Sequence, residues 1–367
     1  MTSRPVAEGV DAAVSFRVGL SADFCDELGT QLYPDLGLAL LDGVPGLSYE
    51  FLREYRMEYV PEQLNGFDVL ISLKPRVTAA SLRGSTRLCA IGRCGVGYDN
   101  VDLEACTLHD IAVYITPAGV VRPVAESIVL FVLALSHNLA SKDRLVRRGE
   151  WPQSTRRLGR EPRGRVVGTI GLGNIASEAV RLLHAFDVAR FVTFDPFLSA
   201  EHARRLNVEI LGSLEELLQV SDYVLVNCPL NTQTRGMLSD KQFELMKPGA
   251  FLINTARGPI VDETALVRAL DSGKIAGAAL DVFEKEPLAA DSPLTKMDQV
   301  ILTSHSIAWT EELFRDMGRL DCEGALAIHR GDVPANVVNQ DVLSRTGFLR
   351  KLEQYKAASD IHGTRHA

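Results

Sequence analysis

The chain of 367 residues is long for one hydrophobic core, and its 46% hydrophobic and 23% charged residues fit a water-soluble globular protein of two domains. A formal net charge of −8 makes the surface as a whole a poor partner for nucleic acid. The six cysteines (Cys25, Cys89, Cys94, Cys106, Cys228 and Cys322) form no Cys-x-x-Cys pair or His cluster, which argues against structural zinc and for a reducing compartment. The longest apolar run, 128–135, is far short of a membrane span and residues 1–5 carry no apolar signal core, so a cytoplasmic protein is expected.

Residues 1–15 show no strong period and read as a loose extension. Short apolar strands are predicted at 16–20, 67–73, 88–93 and 112–116, with helical segments such as 22–28 and 102–107 between them. That alternation implies parallel βαβ units with right-handed crossovers, and so a small α/β domain. Pro123 then leads an apolar helical pattern (Val124, Ala125, Ile128, Val129, Phe131, Val132, Leu135), which reads as a long, mostly buried helix with Pro in its first turn, joining one domain to the other. Between 141 and 165 stand eight arginines and Lys142 against Asp143, Glu150 and Glu161, a local net charge of +6. Trp151 alone does not supply the aromatic interleaving of a nucleic-acid binder, so the segment reads as a solvated arm or a subunit contact.

The second domain is organised around residues 166–176. A β-branched run enters the turn Gly171-Leu172-Gly173-Asn174-Ile175-Ala176, and an apolar helical pattern leaves it. Gly171 permits the tight turn, Gly173 lets a pyrophosphate approach the backbone, and the small Ala176 lets the helix pack closely on its strand. A helix N-terminus after such a turn offers unpaired N–H groups and a partial positive charge to phosphates. Asp195 ends the next strand, 24 residues after Gly171, where a carboxylate can hold a ribose 2′-hydroxyl. Strands are predicted at 165–170, 191–194, 223–227, 250–254, 277–280 and 300–303: six strands of a Rossmann-type, doubly wound parallel sheet. A helical pattern at Leu313, Met317, Leu320, Ala325 and Ala327 then leads back to the first domain. Leu349, Leu352 and Tyr355 could line one face of a last short helix. His362 and His366 have the spacing of metal ligands but lack a third, so no metal is expected.

Three stretches place polar residues just past strand C-terminal ends, where open α/β sheets bind ligands: 254–258, 280–287 and 303–309. They bring Arg257, Glu286 and His305, which can serve as a carboxylate clamp, an imidazole partner and a proton donor near neutral pH.

These stretches resemble the D-isomer-specific 2-hydroxyacid dehydrogenase family. Its Asn-x-x-Arg-Gly motif falls on Asn254 to Gly258, its Asp-Val-Phe-x-x-Glu-Pro motif on Asp281 to Pro287, and its catalytic His on His305. The spacings of 29 from Arg257 to Glu286 and 19 from Glu286 to His305 are typical of it, and Gly95-Val96-Gly97-Tyr98-Asp99-Asn100 is similar to its substrate loop. The resemblance implies a Rossmann coenzyme domain over 125–316 and a smaller flavodoxin-like α/β substrate domain from 1–124 and 317–367. It further implies NAD as coenzyme, a hinged cleft and a homodimer built on the coenzyme domain, with the arginine-rich segment a candidate for the dimer contact. Catalysis then falls to Arg257, Glu286 and His305. Coenzyme contacts fall on Gly171, Gly173, Asn174, Ile175, Asp195, Cys228, Pro229, Thr234, Thr255, Ala256, Arg257, Asp281 and His305. Substrate contacts fall on Lys74, Gly95, Val96, Gly97, Arg257 and Trp309.

The function so implied is direct hydride transfer between NAD and a 2-hydroxy acid of D configuration, or its 2-keto acid. Some relatives are instead NAD-sensing corepressors of the same fold, and turnover discriminates the two. Formate dehydrogenases carry Gln where Glu286 stands, and phosphite dehydrogenases carry Lys where Val96 stands, so both are disfavoured. One departure concerns the acid itself: the family's Thr-Pro-His is Thr303-Ser304-His305 here, without the rigid residue before His. Lys74 and Arg76 occupy the place of a substrate-facing loop, where they reach an anionic group or face solvent.

Overall fold

Runs of β-branched and aromatic residues bounded by turn formers become two parallel sheets in the computed structural model, which describes residues 16–363. The chain divides into two units: the described parts of Met1–Val120 and Thr310–Ala367, and Val121–Trp309. These divisions fall four and seven residues ahead of the boundaries read from the sequence.

In the first unit β1 (Phe16–Leu20), β2 (Leu47–Phe51), β3 (Val69–Ser72), β4 (Ala90–Arg93) and β5 (Ala112–Ile115) pair in parallel in the order β2-β1-β3-β4-β5, the flavodoxin-like arrangement. β2 was not expected. Its sequence alternates half-buried and exposed residues at the sheet edge, so it shows no apolar run. The helix expected over 22–28 is a single turn, Ala22–Phe24, because the Asp26 side chain accepts the Leu28 and Thr30 N–H groups at 2.9 and 2.8 Å and turns the chain. Leu64, Leu70, Leu82, Leu88, Ile91 and Val113 lie in the core of this unit.

Two C-terminal helices belong to this unit. Glu311–His329 starts at Thr310, whose hydroxyl accepts the Leu313 N–H at 3.1 Å, and buries Leu313, Phe314, Met317, Ala325 and Ile328. Thr346–Gly363 buries Phe348, Leu352 and Tyr355, spaced i, i+4, i+7, whereas Leu349 lies off that face and is exposed. The expected extension over 1–15, the side chain of His362 and all of His366 lie outside the described residues.

The second unit has seven strands rather than six. They are β6 (Val166–Ile170), β7 (Arg190–Phe194), β8 (Val208–Ile210), β9 (Tyr223–Val226), β10 (Ala250–Asn254), β11 (Ile275–Leu280) and β12 (Val300–Leu302). All pair in parallel in the order β12-β11-β10-β9-β6-β7-β8, a doubly wound sheet whose strand order reverses between β6 and β9. The addition is β8, a three-residue edge strand with one buried side chain, too short to leave a pattern.

On one face of this sheet Ala125, Ile128, Phe131, Val132 and Leu135 of the helix Pro117–Ser136 pack with Val167, Leu225 and Ile253. That helix is long and apolar enough to cross a membrane, at mean hydropathy 1.9, although the longest unbroken apolar run in it is short; here half of it is buried in the protein. Pro117, not Pro123, takes its first position; Pro123 lies inside the helix, its carbonyl accepting the Ser127 hydroxyl at 2.9 Å. Leu217, Leu252, Leu266 and Leu280 fill the core of the second cluster.

The arginine-rich segment is less solvated than its charge suggests. It forms the helices Leu139–Arg147 and Trp151–Arg156. Arg144, Arg157 and Arg148 converge on Asp298 at 3.3, 3.7 and 4.0 Å, and the Arg160 guanidinium lies 4.1 Å from the Phe251 ring centre.

Candidate functional site

Past β6 the chain must turn sharply into the helix Asn174–Leu183, and Gly171 does so at φ +88°, with the Asn227 carbonyl against it. The turn is braced from below: the Thr169 hydroxyl donates to the Gly171 carbonyl at 2.6 Å and accepts from Asn227 Nδ2 at 3.0 Å. At Gly173 no protein atom lies within 4 Å of the position a Cβ would take, and no side chain caps the helix that follows. That is a cradle for a dinucleotide pyrophosphate: open space, a bare helix N-terminus and backbone close at hand. Asn174 is exposed and Ile175 half-buried at its rim. Asp195 stands beside it, its two carboxylate oxygens accepting the Leu172 and Phe197 N–H groups, both at 2.9 Å. The carboxylate assigned to a ribose therefore also fixes the glycine turn.

Beyond β9 and β10 lie the next expected contacts. Burial pushes the Cys228 thiol up to about 11, so it stays neutral there. The Thr234 hydroxyl donates to the Pro229 carbonyl at 2.7 Å and accepts the Asn231 N–H at 2.8 Å, which closes the loop over that edge. At the end of β10, buried Asn254 accepts the Ala256 N–H and donates to the Arg257 carbonyl, both at 3.0 Å, so one amide side chain shapes the Thr255-Ala256-Arg257 turn. Gly258 follows against the backbone of Phe283, where any Cβ would overlap the Phe283 carbonyl.

The acid sits opposite. His305 Nδ1 meets Glu286 Oε2 at 2.8 Å, while Glu286 Oε1 accepts the Phe283 N–H at 3.1 Å. Burial pushes the Glu286 carboxyl up, but His305, the Phe283 N–H and the Arg257 guanidinium together hold it below its ordinary value. With Nδ1 engaged, Nε2 is the ring nitrogen left to exchange a proton.

Asp281 explains how His305 keeps its place without a preceding proline. Its carbonyl accepts the His305 N–H at 2.7 Å, and its Oδ1 accepts from the Thr303 hydroxyl at 2.6 Å and from the Ser306 and Ile307 N–H groups at 3.0 and 3.2 Å. This grip holds His305 at φ +54°, a left-handed conformation that a non-glycine residue adopts only when its surroundings impose it. Trp309, half-exposed, donates its backbone N–H to the Ser306 carbonyl at 2.9 Å at the end of the same unit.

Lys74, Gly95, Val96 and Gly97 belong to the first unit. The Gly95 N–H donates to the Thr116 hydroxyl at 2.8 Å, and Val96 and Gly97 are half-buried after it. Lys74 is exposed and its backbone N–H donates to the Asp23 carboxylate at 3.0 Å; Arg76, also exposed, pairs by its backbone with Glu58. Among the described residues no group of three or more His, Cys, Asp or Glu is placed to hold a metal ion. Asn254, which opens the Asn-x-x-Arg-Gly motif, is joined by Thr169 and Asn227, which no motif marks; their signal is a polar residue inside or just after an apolar strand.

A dinucleotide cradle at the reversal of a doubly wound sheet, with an arginine and a carboxylate-backed histidine at neighbouring strand ends, defines the class as NAD-binding oxidoreductases. Residues 129–306 match the model of the D-isomer specific 2-hydroxyacid dehydrogenase NAD binding domain. The chain is 33% identical over 339 residues to a glyoxylate reductase of Thermofilum pendens, spanning 89% of this chain and 97% of that one. It is 36% identical over 280 residues to a D-3-phosphoglycerate dehydrogenase of Archaeoglobus fulgidus, 76% of this chain but 53% of the relative, so it spans about half the length of that protein. A solved structure from Thermus thermophilus superposes with a TM-score of 0.77 at 30% identity, over 88% of this chain and all of the other. The chain belongs to the D-isomer specific 2-hydroxyacid dehydrogenase family, and its coenzyme is NAD.

Proposed function

We propose that the protein interconverts a D-2-hydroxy acid and its 2-keto acid. The observation that carries this reading is the 2.8 Å His305–Glu286 pair, set beside Arg257 in the NAD-binding unit. NAD supplies the chemistry of hydride gain or loss at C2 of the substrate. Arg257 holds the carboxylate and the C2 oxygen through its planar fork. His305 gives a proton to that oxygen from Nε2 during reduction and takes it back during oxidation. Glu286 aims the ring through its 2.8 Å contact with Nδ1. In the first unit, the Gly95-Val96-Gly97 turn is read by itself as a backbone binder of a substrate carboxylate.

The protein acts as a homodimer in this reading. Support comes from Leu130, Leu139, Val146, Trp151 and Leu158, large apolar side chains left exposed on and around the arginine-rich helices. The names of the relatives make glyoxylate and D-3-phosphoglycerate the first compounds for a test panel. Oxidation of NADH followed at about 340 nm with a panel of 2-keto acids, and reduction of NAD with D- and L-2-hydroxy acids, tests the activity. Turnover confined to D acids supports the reading; NADH binding with no turnover across the panel favours a coenzyme-sensing role. Light scattering tests the dimer.

A further inference from the structure

Helix Glu311–His329 carries one side chain that its surroundings do not explain by packing. Asp321 is completely buried; among the described residues no N–H or O–H group donates to its carboxyl oxygens, and the Cys94 thiol is the polar group set against them. It presses on β4 where β4 has no side chain: a Cβ on Gly92 would stand 2.6 Å from Asp321 Oδ1 and 2.6 Å from Tyr114 Oη. Tyr114, on β5, donates its hydroxyl to the Asp321 carbonyl at 2.8 Å, which fixes the helix at this height.

The groups that face Asp321 are Arg93, the last residue of β4, Cys94 just after it, Tyr114 from β5, and Cys322 on its own helix. Burial pushes the Cys94, Cys322 and Tyr114 side chains upward, so all three are neutral, and Arg93 is the cation among them. Burial likewise pushes Asp321 up to about 8, against the opposing influence of Cys94 and Arg93. Arg93 has a second task, since its guanidinium donates to the Cys94 carbonyl. Cys94 leads directly into Gly95, which stands at φ +126° and exchanges hydrogen bonds with Thr116: N–H to the hydroxyl at 2.8 Å, and carbonyl from the Thr116 N–H at 3.0 Å. The turn 95–97 is thus held from one side by Thr116 and from the other by the Arg93–Cys94 contact.

We propose that Asp321 is a positioning residue for substrate capture: protonated, it backs β4 and leaves Arg93 on the Cys94 carbonyl, and on losing its proton it draws Arg93 away and loosens the 95–97 turn. This rests on the reading that the turn binds the substrate carboxylate. Asp321 touches neither substrate nor coenzyme in this scheme; it acts through Arg93 and the backbone.

The test follows two readouts across pH in the full-length protein and in Asp321→Asn, which cannot ionise. In the wild type the KM for the keto acid rises at least about fivefold between about pH 7 and pH 9 while the Kd for NADH stays level. Over the same interval the amides of 94–98 lose protection against hydrogen exchange, corrected for intrinsic rate and measured without substrate. Asp321→Asn abolishes both changes. The same rise of KM and the same loss of protection in Asp321→Asn overturn the proposal. Should Asp321→Asn fail to fold, Asp321→Ser, smaller and equally unable to ionise, answers the same question. Exchange separates the two ideas: if no keto acid is turned over but the pH-dependent loosening vanishes in the variant, the positioning role stands and the substrate reading falls.

Discussion

Asp195→Ala provides the sharpest test of how this chain reads its coenzyme. A carboxylate offers about four acceptor sites. Two are occupied here, by the N–H groups of Leu172 and Phe197 at 2.9 Å each, which leaves the number that the 2′ and 3′ hydroxyls of a ribose require. Leu172 is buried, so removing the carboxylate also strands its N–H and disturbs the glycine turn. That cost falls equally on NADH and NADPH, and the ratio of their kcat/KM values is free of it.

What the ratio does register is the 2′ position. The NADH side loses a hydrogen bond to a charged group, worth at least about 1.5 kcal/mol. The NADPH side is relieved of a like-charge encounter worth about 1 kcal/mol even in the limit of bulk water at about 4 Å. Together these exceed about 2.4 kcal/mol, so the preference for NADH falls about fiftyfold or more. Steady-state kcat/KM for both coenzymes, at saturating keto acid, supplies the four numbers. Wild-type preference for NADPH, or a ratio that moves less than about threefold in the variant, refutes the assignment.

Three further perturbations probe other parts of the molecule. Glu286, held below its ordinary value by His305 and its other partners, orients the ring from 2.8 Å; Glu286→Gln keeps an acceptor but loses the charge and lowers kcat for reduction at least about tenfold, which steady-state rates in both proteins check. Arg257→Lys cannot reproduce a planar fork and lowers kcat/KM at least about tenfold, about 1.4 kcal/mol, with NADH affinity by fluorescence titration nearly unchanged. Buried Asp222 binds Lys247 at 2.7 Å and the Val166 N–H at 2.8 Å; burial raises its carboxyl, but these partners and Arg165 hold it below its ordinary value. A carboxyl lowered on folding contributes stability above its unfolded value, about 3.9, and loses it as pH falls through the folded one. Asp222→Asn therefore melts several degrees below the wild type at about pH 7, and calorimetry shows the gap closing as pH falls below about 4.

Much of the fold could be read because its strands advertise themselves. β9 is buried on both faces and appears as an unbroken apolar run, β6 and β10 are nearly so, with Thr169 inside one and Asn254 closing the other, and the turn after β6 carries its function in its glycines. The edge strands did not advertise themselves: β2 alternates, and β8 is three residues long. The 22–28 segment has helical composition, but Asp26 captures two N–H groups that a helix would need, a competition that composition does not show.

At the site, Arg257, Glu286 and His305 were legible as residue types at strand ends, whereas the machinery that aims them was not. Asp281 reads as one more polar residue of a motif, yet its carboxylate replaces the rigidity that the missing proline would have given. Asp321 lies within an ordinary helical pattern, and only its burial against a glycine of β4 sets it apart.

Gly258 sets a limit on how this site can be re-engineered. The hydrogen atom on its Cα faces the Phe283 backbone, and Phe283 in turn donates its N–H to Glu286. One added methyl wedges apart the segments that bear the guanidinium and the carboxylate, although Gly258 itself touches no reactant. In a library built around this turn, every member that changes residue 258 disturbs the placing of Arg257 and Glu286, whatever else it varies. In laboratory evolution the position behaves as a fixed point, held by the volume of a single hydrogen.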